Sequence, residues 1–93
     1  MAVRVLIPGP LQPFSDGRRI VALEGSPATV REALEALGAR HPGVRDRVVT
    51  ERWEVRPHVN LFVGAENVRD ADGLDTSVPP DAEIAILPAV SGG

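Results

Sequence analysis

Only one stretch of the sequence, residues 29–40, carries a helical pattern, and this most constrains the fold. Its apolar residues recur at helical spacing: Val30, Ala33, Leu34 and Leu37. Thr29 precedes Glu32 by three residues, so each side chain can satisfy a free backbone N–H at a helix start. Pro42 and Gly43 end the pattern. A single amphipathic helix must bury its apolar stripe against another element, which predicts a sheet beneath it.

Two segments near this helix, residues 3–7 and 58–63, have alternating faces as strands with one face on a core do. Residues 18–24 and 83–87, which carry β-branched and other apolar residues, are also predicted strands, with a further short segment near Val68. Residues 8–17 contain three prolines and two glycines and predict a long turn without regular structure. Residues 44–57 predict an irregular excursion with one short helical turn. This order predicts an α+β, β-grasp fold, a mixed sheet of four to five strands with one main helix across one face.

The 93 residues are enough for one domain, and we divide them at Pro88, which is predicted to break the last strand. Residues 1–88 form the predicted β-grasp domain, and residues 89–93 form a predicted flexible tail. Such a tail can reach about 17 Å when extended. Gly92 and Gly93 make its end as thin as a chain can be. The tail is therefore predicted to enter the active site of another protein.

The composition excludes several kinds of chemistry. The sequence has no cysteine and no lysine, which removes disulfides, cysteine-rich zinc sites, thiol nucleophiles and Schiff-base catalysis. A net charge of -3 argues against a nucleic-acid partner. No apolar run approaches the ~20 residues that span a bilayer, and no signal peptide begins at Met1. We expect a cytoplasmic protein with no membrane partner.

Strand parity predicts a second feature on the sheet. If Val5, Leu61 and Ile86 face the helix, their neighbours Leu6, Phe62 and Leu87 project from the opposite face. The first, third and last main strands are neighbours in a β-grasp sheet. These three side chains then form one exposed apolar patch, the usual mark of a partner surface. The alternatives are scattered side chains or a patch covered by the proline-rich loop.

Other candidate sites are weaker. Residues 70–75 lack the glycine and glutamate spacing of a calcium loop and are interpreted as a solvated turn, and no metal site is predicted. His41 and His58 are assigned surface or helix-end roles. Ser15 and Asp16 could be combined with a histidine as a hydrolase site, but no nucleophile-elbow pattern supports this. Trp53 is predicted to pack against a helix end.

Four segments resemble the MoaD/ThiS family of ubiquitin-like sulfur carriers. They are Val59-Asn60-Leu61-Phe62-Val63, Glu66-Asn67-Val68-Arg69, Gly73-Leu74-Asp75-Thr76 and Ile86-Leu87-Pro88-Ala89-Val90-Ser91-Gly92-Gly93. The resemblance covers nearly the whole chain, is weakest over residues 44–56, and from Val59 onward is most similar to the CysO-type carriers. The sequence departs from the family at residues 78–81 and at Ser91, where alanine is usual. Neither departure affects the terminal glycines.

The resemblance implies a chemistry for Gly93. A partner that uses ATP and Mg would join the Gly93 carboxylate to AMP, and sulfur transfer would then leave a thiocarboxylate there. The chain itself would bind no cofactor and would be a protein cosubstrate, not an enzyme. Besides Leu6, Phe62 and Leu87, the residues expected to bind partners are Val90, Ser91 and Gly92.

The implied partners are an E1-like adenylating and sulfurtransferase enzyme of the MoeB/ThiF/MoeZ type and a sulfur-accepting synthase. Cysteine biosynthesis is the first choice of pathway, with a PLP-dependent cysteine synthase and a metalloprotease that releases the product. The alternatives are molybdopterin, thiamine thiazole or a sulfur-containing secondary metabolite. From other classes, the chain could be a ubiquitin-like modifier of target lysines or an interaction domain with incidental glycines.

Overall fold

Five strands form one mixed sheet in the computed structural model, which describes residues 2–88. In chain order they are β1 Val3–Leu6, β2 Ile20–Leu23, β3 Val59–Val63, β4 Glu66–Asn67 and β5 Glu83–Pro88. Their spatial order is β2-β1-β5-β3-β4. The central strands β1 and β5 are parallel, and all other pairs are antiparallel. Together with a helix after β2, this arrangement confirms the predicted β-grasp fold.

Helix α1 (Val30–Arg40) begins where the sequence predicts. The Glu32 backbone N–H donates to Thr29 Oγ1 at 3.2 Å, and Glu32 Oε1 accepts from the Ala28 backbone N–H at 2.9 Å. These two bonds satisfy backbone donors that a helix start would otherwise leave unpaired. The apolar stripe of α1 is fully buried against the sheet: Val30, Ala33, Leu34 and Leu37.

A second helix, α2 (Pro42–Val48), follows almost directly. The sequence predicted one short helical turn within an irregular segment of residues 44–57, and the helix is longer and begins earlier than that. Pro42 and Gly43 do end α1, but Pro42 also starts α2, because the first turn of a helix needs no N–H there. Val44 and Val48 lie one turn apart and are both buried. Two buried valines per seven residues are too few to stand out as a helical pattern.

The proline-rich connection between β1 and β2 also has more order than predicted. Residues Gly9–Phe14 form a 3₁₀ helix. Its turns are closed by bonds from Leu11 N to Pro8 O and from Ser15 N to Gln12 O, neither of which needs a proline N–H. Pro88 likewise belongs to β5, where it pairs with Val59, so it does not break the strand before it.

The core lies between α1, α2 and one face of the sheet. The sheet contributes side chains at alternate positions of every long strand: Val3, Val5, Val21, Leu23, Val59, Leu61, Ile84 and Ile86. Trp53 packs against this core and is partly buried. Within residues 2–88, neither helix is long and apolar enough to cross a membrane.

Candidate functional site

The three predicted docking residues lie on the face of the sheet that α1 does not cover. Their neighbours Val5, Leu61 and Ile86 are buried in the core. Leu6 and Phe62 are half-buried at the surface, and Leu87 is 45% exposed. The parity of the three strands is therefore as the alternation predicted. A partner role for these residues stays a prediction.

The strand register brings these side chains together. Leu6 pairs with Ile20 on one side and with Ala85 on the other, and Ala85 pairs with Phe62. Directly opposed residues share a face with Cβ atoms about 5 Å apart, so these four form one row across four strands. Leu87 lies two residues beyond Ala85 on the same face. We call this set the outer patch: Leu6, Ile20, Phe62, Ala85 and Leu87.

Both alternatives for the patch are wrong. The register makes the side chains contiguous, so they are not scattered. The 3₁₀ helix of the proline-rich loop packs against α2, on the other side of the sheet, and leaves the patch open. Ile20 is 49% exposed and Leu87 is nearly as open. Exposed apolar residues in one patch are typical of a surface that another protein covers.

Sequence reasoning missed Ile20 and Ala85 as members of the patch. Ile20 and Val21 are both apolar, so alternation alone does not say which of them faces the core. The signal is the pairing of β1 with β2, which sets Ile20 opposite Leu6 and Val21 opposite Val5. Ala85 is small and indistinct in sequence, yet it joins the two halves of the row.

Polar side chains bound the patch. One row away, Arg4 and Glu83 pair across β1 and β5, with Arg4 Nη2 3.1 Å from Glu83 Oε2. Both are about half exposed, so this pair adds about 0–1 kcal/mol to stability. At the β3 and β4 side of the patch, Asn60 pairs with Leu87 and Asn67 pairs with Phe62. An apolar centre with a polar rim is the usual anatomy of a protein interface.

The patch adjoins the end of β5, from which the sequence continues towards its last residue. Leu87 belongs to the patch, and Pro88 follows it as the last residue that the structure describes. The remaining predicted site residues, Val90, Ser91, Gly92 and Gly93, lie outside the described residues, as does the predicted tail of residues 89–93. Their roles stay predictions.

The hydrolase alternative has no support in the geometry. The Ser15 side chain is fully buried, and its hydroxyl lies 2.7 Å from the carbonyl oxygen of Arg18, to which it donates. It is therefore neither accessible to a substrate nor paired with a general base. Asp16 Oδ2 lies 4.0 Å from Nδ1 of His41, a longer separation than a hydrogen bond.

The two histidines and the acidic loop play the structural roles predicted for them. His41 is the residue between α1 and α2 and is buried there, a helix-end role. His58 is exposed just before β3. The acidic loop folds as two 3₁₀ turns, Val68–Asp70 and Gly73–Asp75. Across residues 2–88, no three histidine or acidic side chains come close enough together to hold a metal ion.

Comparison with known proteins finds similarity over the whole chain. The model of the ThiS family matches residues 5–93. Sulfur carrier protein CysO of Mycobacterium tuberculosis (strain ATCC 25618 / H37Rv) is 34% identical over 95 residues, covering 100% of both chains. Small archaeal modifier protein 3 of Haloferax volcanii is 35% identical over 66 residues, 71% of each. A chain in the crystal structure of the Amycolatopsis orientalis BexX/CysO complex is 37% identical and superposes with a TM-score of 0.88, covering 99% of this chain and 100% of that one.

Proposed function

The chain belongs to the ThiS family and resembles sulfur carriers over its whole length, and we propose that it carries sulfur as a thiocarboxylate on Gly93. One structural observation supports this most directly. Leu87 of the outer patch lies on β5, the strand after which the sequence continues to Gly93. One partner could therefore cover the patch and receive the terminal carboxylate. This closeness in sequence between the patch and the C-terminus supports the proposal that one partner uses both.

The proposed chemistry begins with activation of the carboxylate. An adenylating partner that uses ATP and Mg joins a Gly93 carboxylate oxygen to AMP and releases pyrophosphate. Sulfide supplied by the sulfur donor then attacks the carbonyl carbon, the bond to AMP breaks, and the thiocarboxylate, AMP and a proton are the products. The chain itself binds no cofactor and acts as a cosubstrate of partner enzymes.

The composition suits an activated acyl group. A thiol or an amine on the same chain could attack the Gly93 adenylate, but the sequence contains no cysteine and no lysine. Arginine, the basic side chain at all ten positions, stays protonated and is a poor nucleophile. The Gly93 adenylate therefore cannot be attacked by a cysteine thiol or a lysine amine of its own chain.

We propose an E1-like adenylating and sulfurtransferase enzyme as the first partner and a sulfur-accepting synthase as the second. Cysteine biosynthesis is the pathway that we favour, because the full-length similarity is to CysO. A PLP-dependent cysteine synthase would then accept the sulfur, and a metalloprotease would release the product. The similarity to a small archaeal modifier supports a second candidate function, attachment of Gly93 to lysines of other proteins.

The proposal predicts a change in the intact mass of the chain. Incubation with the adenylating enzyme, ATP and a sulfur donor should exchange one terminal oxygen for sulfur and raise the mass by the difference between the two atoms. Mass spectrometry of the C-terminal fragment should locate the change at Gly93. A chain that stays unmodified beside a partner of proven activity, or sulfur found elsewhere, would refute the carrier function. Conjugates with lysine-containing proteins would instead identify a modifier.

Changing Phe62 to Asp should weaken binding of the adenylating enzyme without unfolding the chain. An apolar side chain of this size contributes about 1.5–3 kcal/mol when an interface buries it, so the dissociation constant should rise by about tenfold or more. Phe62 lies on the open face of the sheet, and the new carboxylate can remain hydrated in the free chain. Calorimetric titration and thermal unfolding measure the two effects.

Ala22→Asp is the matched control for Phe62→Asp. Ala22 is exposed on the same face but lies opposite Arg4, outside the patch. This variant introduces the same charge and should bind within about twofold of the parent, which is about 0.4 kcal/mol. Equal losses in both variants would show that charge repulsion, and not the patch, governs binding. A folded Phe62→Asp chain with parental affinity would rule out docking through the patch.

A further inference from the structure

A cleft of about 530 Å³ opens on the helix side of the sheet, next to the end of β5. Leu11, Val59 and Ile86 contribute apolar lining, and Arg47, Arg56 and His58 contribute basic lining. We call it the tail-base cleft, because Val59 pairs with Pro88, after which the sequence runs to Gly93. The outer patch occupies the other face of the same strands. Both surfaces therefore lie next to the end of β5, the last point of the chain that the structure describes.

The cleft holds positive charge that the described residues do not neutralise. Asp46 is its one acidic lining residue, and the Asp46 carboxylate is paired with Arg45, which lies outside the cleft, at 3.2 Å. Arg56 donates two hydrogen bonds, of 3.0 and 2.8 Å, to the backbone oxygen of Asp46, a neutral acceptor. Among residues 2–88, neither Arg47 nor Arg56 has a carboxylate within 4 Å.

Both guanidinium groups are held in place. The Arg47 guanidinium carbon lies 3.5 Å from the centroid of the Phe14 ring, and its Nη1 donates to the Gly43 carbonyl at 3.1 Å. Gly43 permits this packing, since a Cβ there would lie 3.1 Å from Cδ1 of Phe14. Two fixed guanidinium groups lose little side-chain freedom when they bind an anion, and their planar geometry suits carboxylates.

We propose that the tail-base cleft binds an acidic peptide segment of the partner that receives Gly93. This inference rests on the proposed function. Carboxylates of the segment would pair with Arg47 and Arg56, and an apolar side chain beside them would lie on Pro8 and Leu11, which are partly exposed in the cleft. The apolar lining favours a peptide over a free anion such as phosphate. Because the chain is acidic overall, with a net charge of -3, a local basic site also fixes the orientation of an acidic partner.

Arg47→Glu tests the cleft, and Arg52→Glu is its matched control. Both variants replace an arginine by a glutamate and so change the net charge equally. Arg52 is exposed and does not line the cleft. In activation by the adenylating enzyme, Arg47→Glu should raise the KM for the carrier by about tenfold with kcat unchanged. Loss of the contacts with Phe14 and Gly43 should lower the midpoint of thermal unfolding by about 4–8 °C, so the variant stays folded in the assay. Arg52→Glu should stay within about twofold. Arg47→Gln, which removes the charge without reversing it, should give a smaller rise in KM.

A peptide titration tests the cleft without the enzyme. The acidic peptide acetyl-Leu-Glu-Glu-Leu-amide should shift the NMR amide signals of Arg47, Arg56 and His58. The shifts should decrease with added salt and be absent with acetyl-Leu-Gln-Gln-Leu-amide. Inorganic phosphate that binds at the same amides as tightly as the acidic peptide would identify an anion site and overturn the peptide proposal.

The two experiments separate this inference from the proposed function. If the parent chain, Arg47→Glu and Arg52→Glu are all adenylated equally well, the cleft proposal is refuted and the carrier function stands. A parent chain that binds the acidic peptide but is never adenylated would refute the carrier function and leave the cleft standing. If the acidic peptide shifts no amide signal of the cleft, the cleft proposal is refuted, whether or not the parent chain is adenylated.

Discussion

Deletion of Gly93 is expected to abolish formation of the thiocarboxylate while leaving the fold intact. The deletion moves the terminal carboxylate back by one residue, about 3.5 Å along an extended chain. A displacement of about 1 Å at a reacting centre can already reduce a rate by about 100-fold, so loss of adenylation should exceed that factor. Pyrophosphate release by the adenylating enzyme measures the loss. Thermal unfolding checks the fold, since all the core residues that the structure describes come before Pro88.

One alanine added after Gly93 should have the same effect as the deletion, because the carboxylate then overshoots the reacting position. An alanine added before Met1 is the matched control. β1 runs parallel to β5, so its start lies at the opposite end of the sheet from the end of β5. This variant should be adenylated at the parental rate. Adenylation of a chain whose C-terminal alanine is shown to remain would contradict the assignment of Gly93.

Leu61→Ala should lower the stability of the fold strongly. Leu61 is 0% exposed in the middle of β3 and lies opposite Ile86 in the core. Truncation of such a leucine costs about 2–5 kcal/mol, because transfer energy is lost and a cavity remains. The free energy of unfolding of a domain is only about 5–15 kcal/mol. The midpoint of thermal unfolding should therefore fall by about 10 °C or more.

Leu87→Ala provides a matched comparison from the opposite face. Leu87 lies one residue after Ile86 on β5 and is 45% exposed, so its truncation should lower the free energy of unfolding by less than about 1 kcal/mol. It should instead weaken binding of the adenylating enzyme. Denaturant unfolding of both variants measures the contrast. If Leu61→Ala and Leu87→Ala lowered the free energy of unfolding equally, Leu87 would not lie on the exposed face of the sheet.

Local signals accounted for much of the fold. The Thr29 and Glu32 pair placed the start of α1 correctly, because a capping box needs only residues within one turn. Alternation and β-branched residues located the four long strands to within two residues at either end. Alternation also assigned Leu6, Phe62 and Leu87 to the outer face, because successive side chains of a strand must point to opposite sides.

The missed elements depend on contacts distant in sequence. α2 has only two buried valines, and its helical form follows from packing against α1 and the 3₁₀ helix of residues 9–14. That 3₁₀ helix was missed because prolines exclude an α-helix or a strand interior but not a short turn whose bonds avoid their nitrogens. The excursion after α2 was equally indistinct, and Trp53 adopts there a φ of 58°, which no local pattern indicated.

The sequence by itself determined which residues of β1, β3 and β5 face the helix, where α1 begins and that the chain has no thiol or lysine amine. These depend on residues a few positions apart, whose geometry is set by the backbone. Only the tertiary structure decided which residues of different strands meet. Ile20 joins Leu6, and Phe62 joins Ala85, through strand register, and Arg47, Arg56 and Leu11 surround one cleft because α2, the segment before β3 and the proline-rich loop converge there. Register and convergence come from packing of the whole core, which alternation within one segment cannot encode.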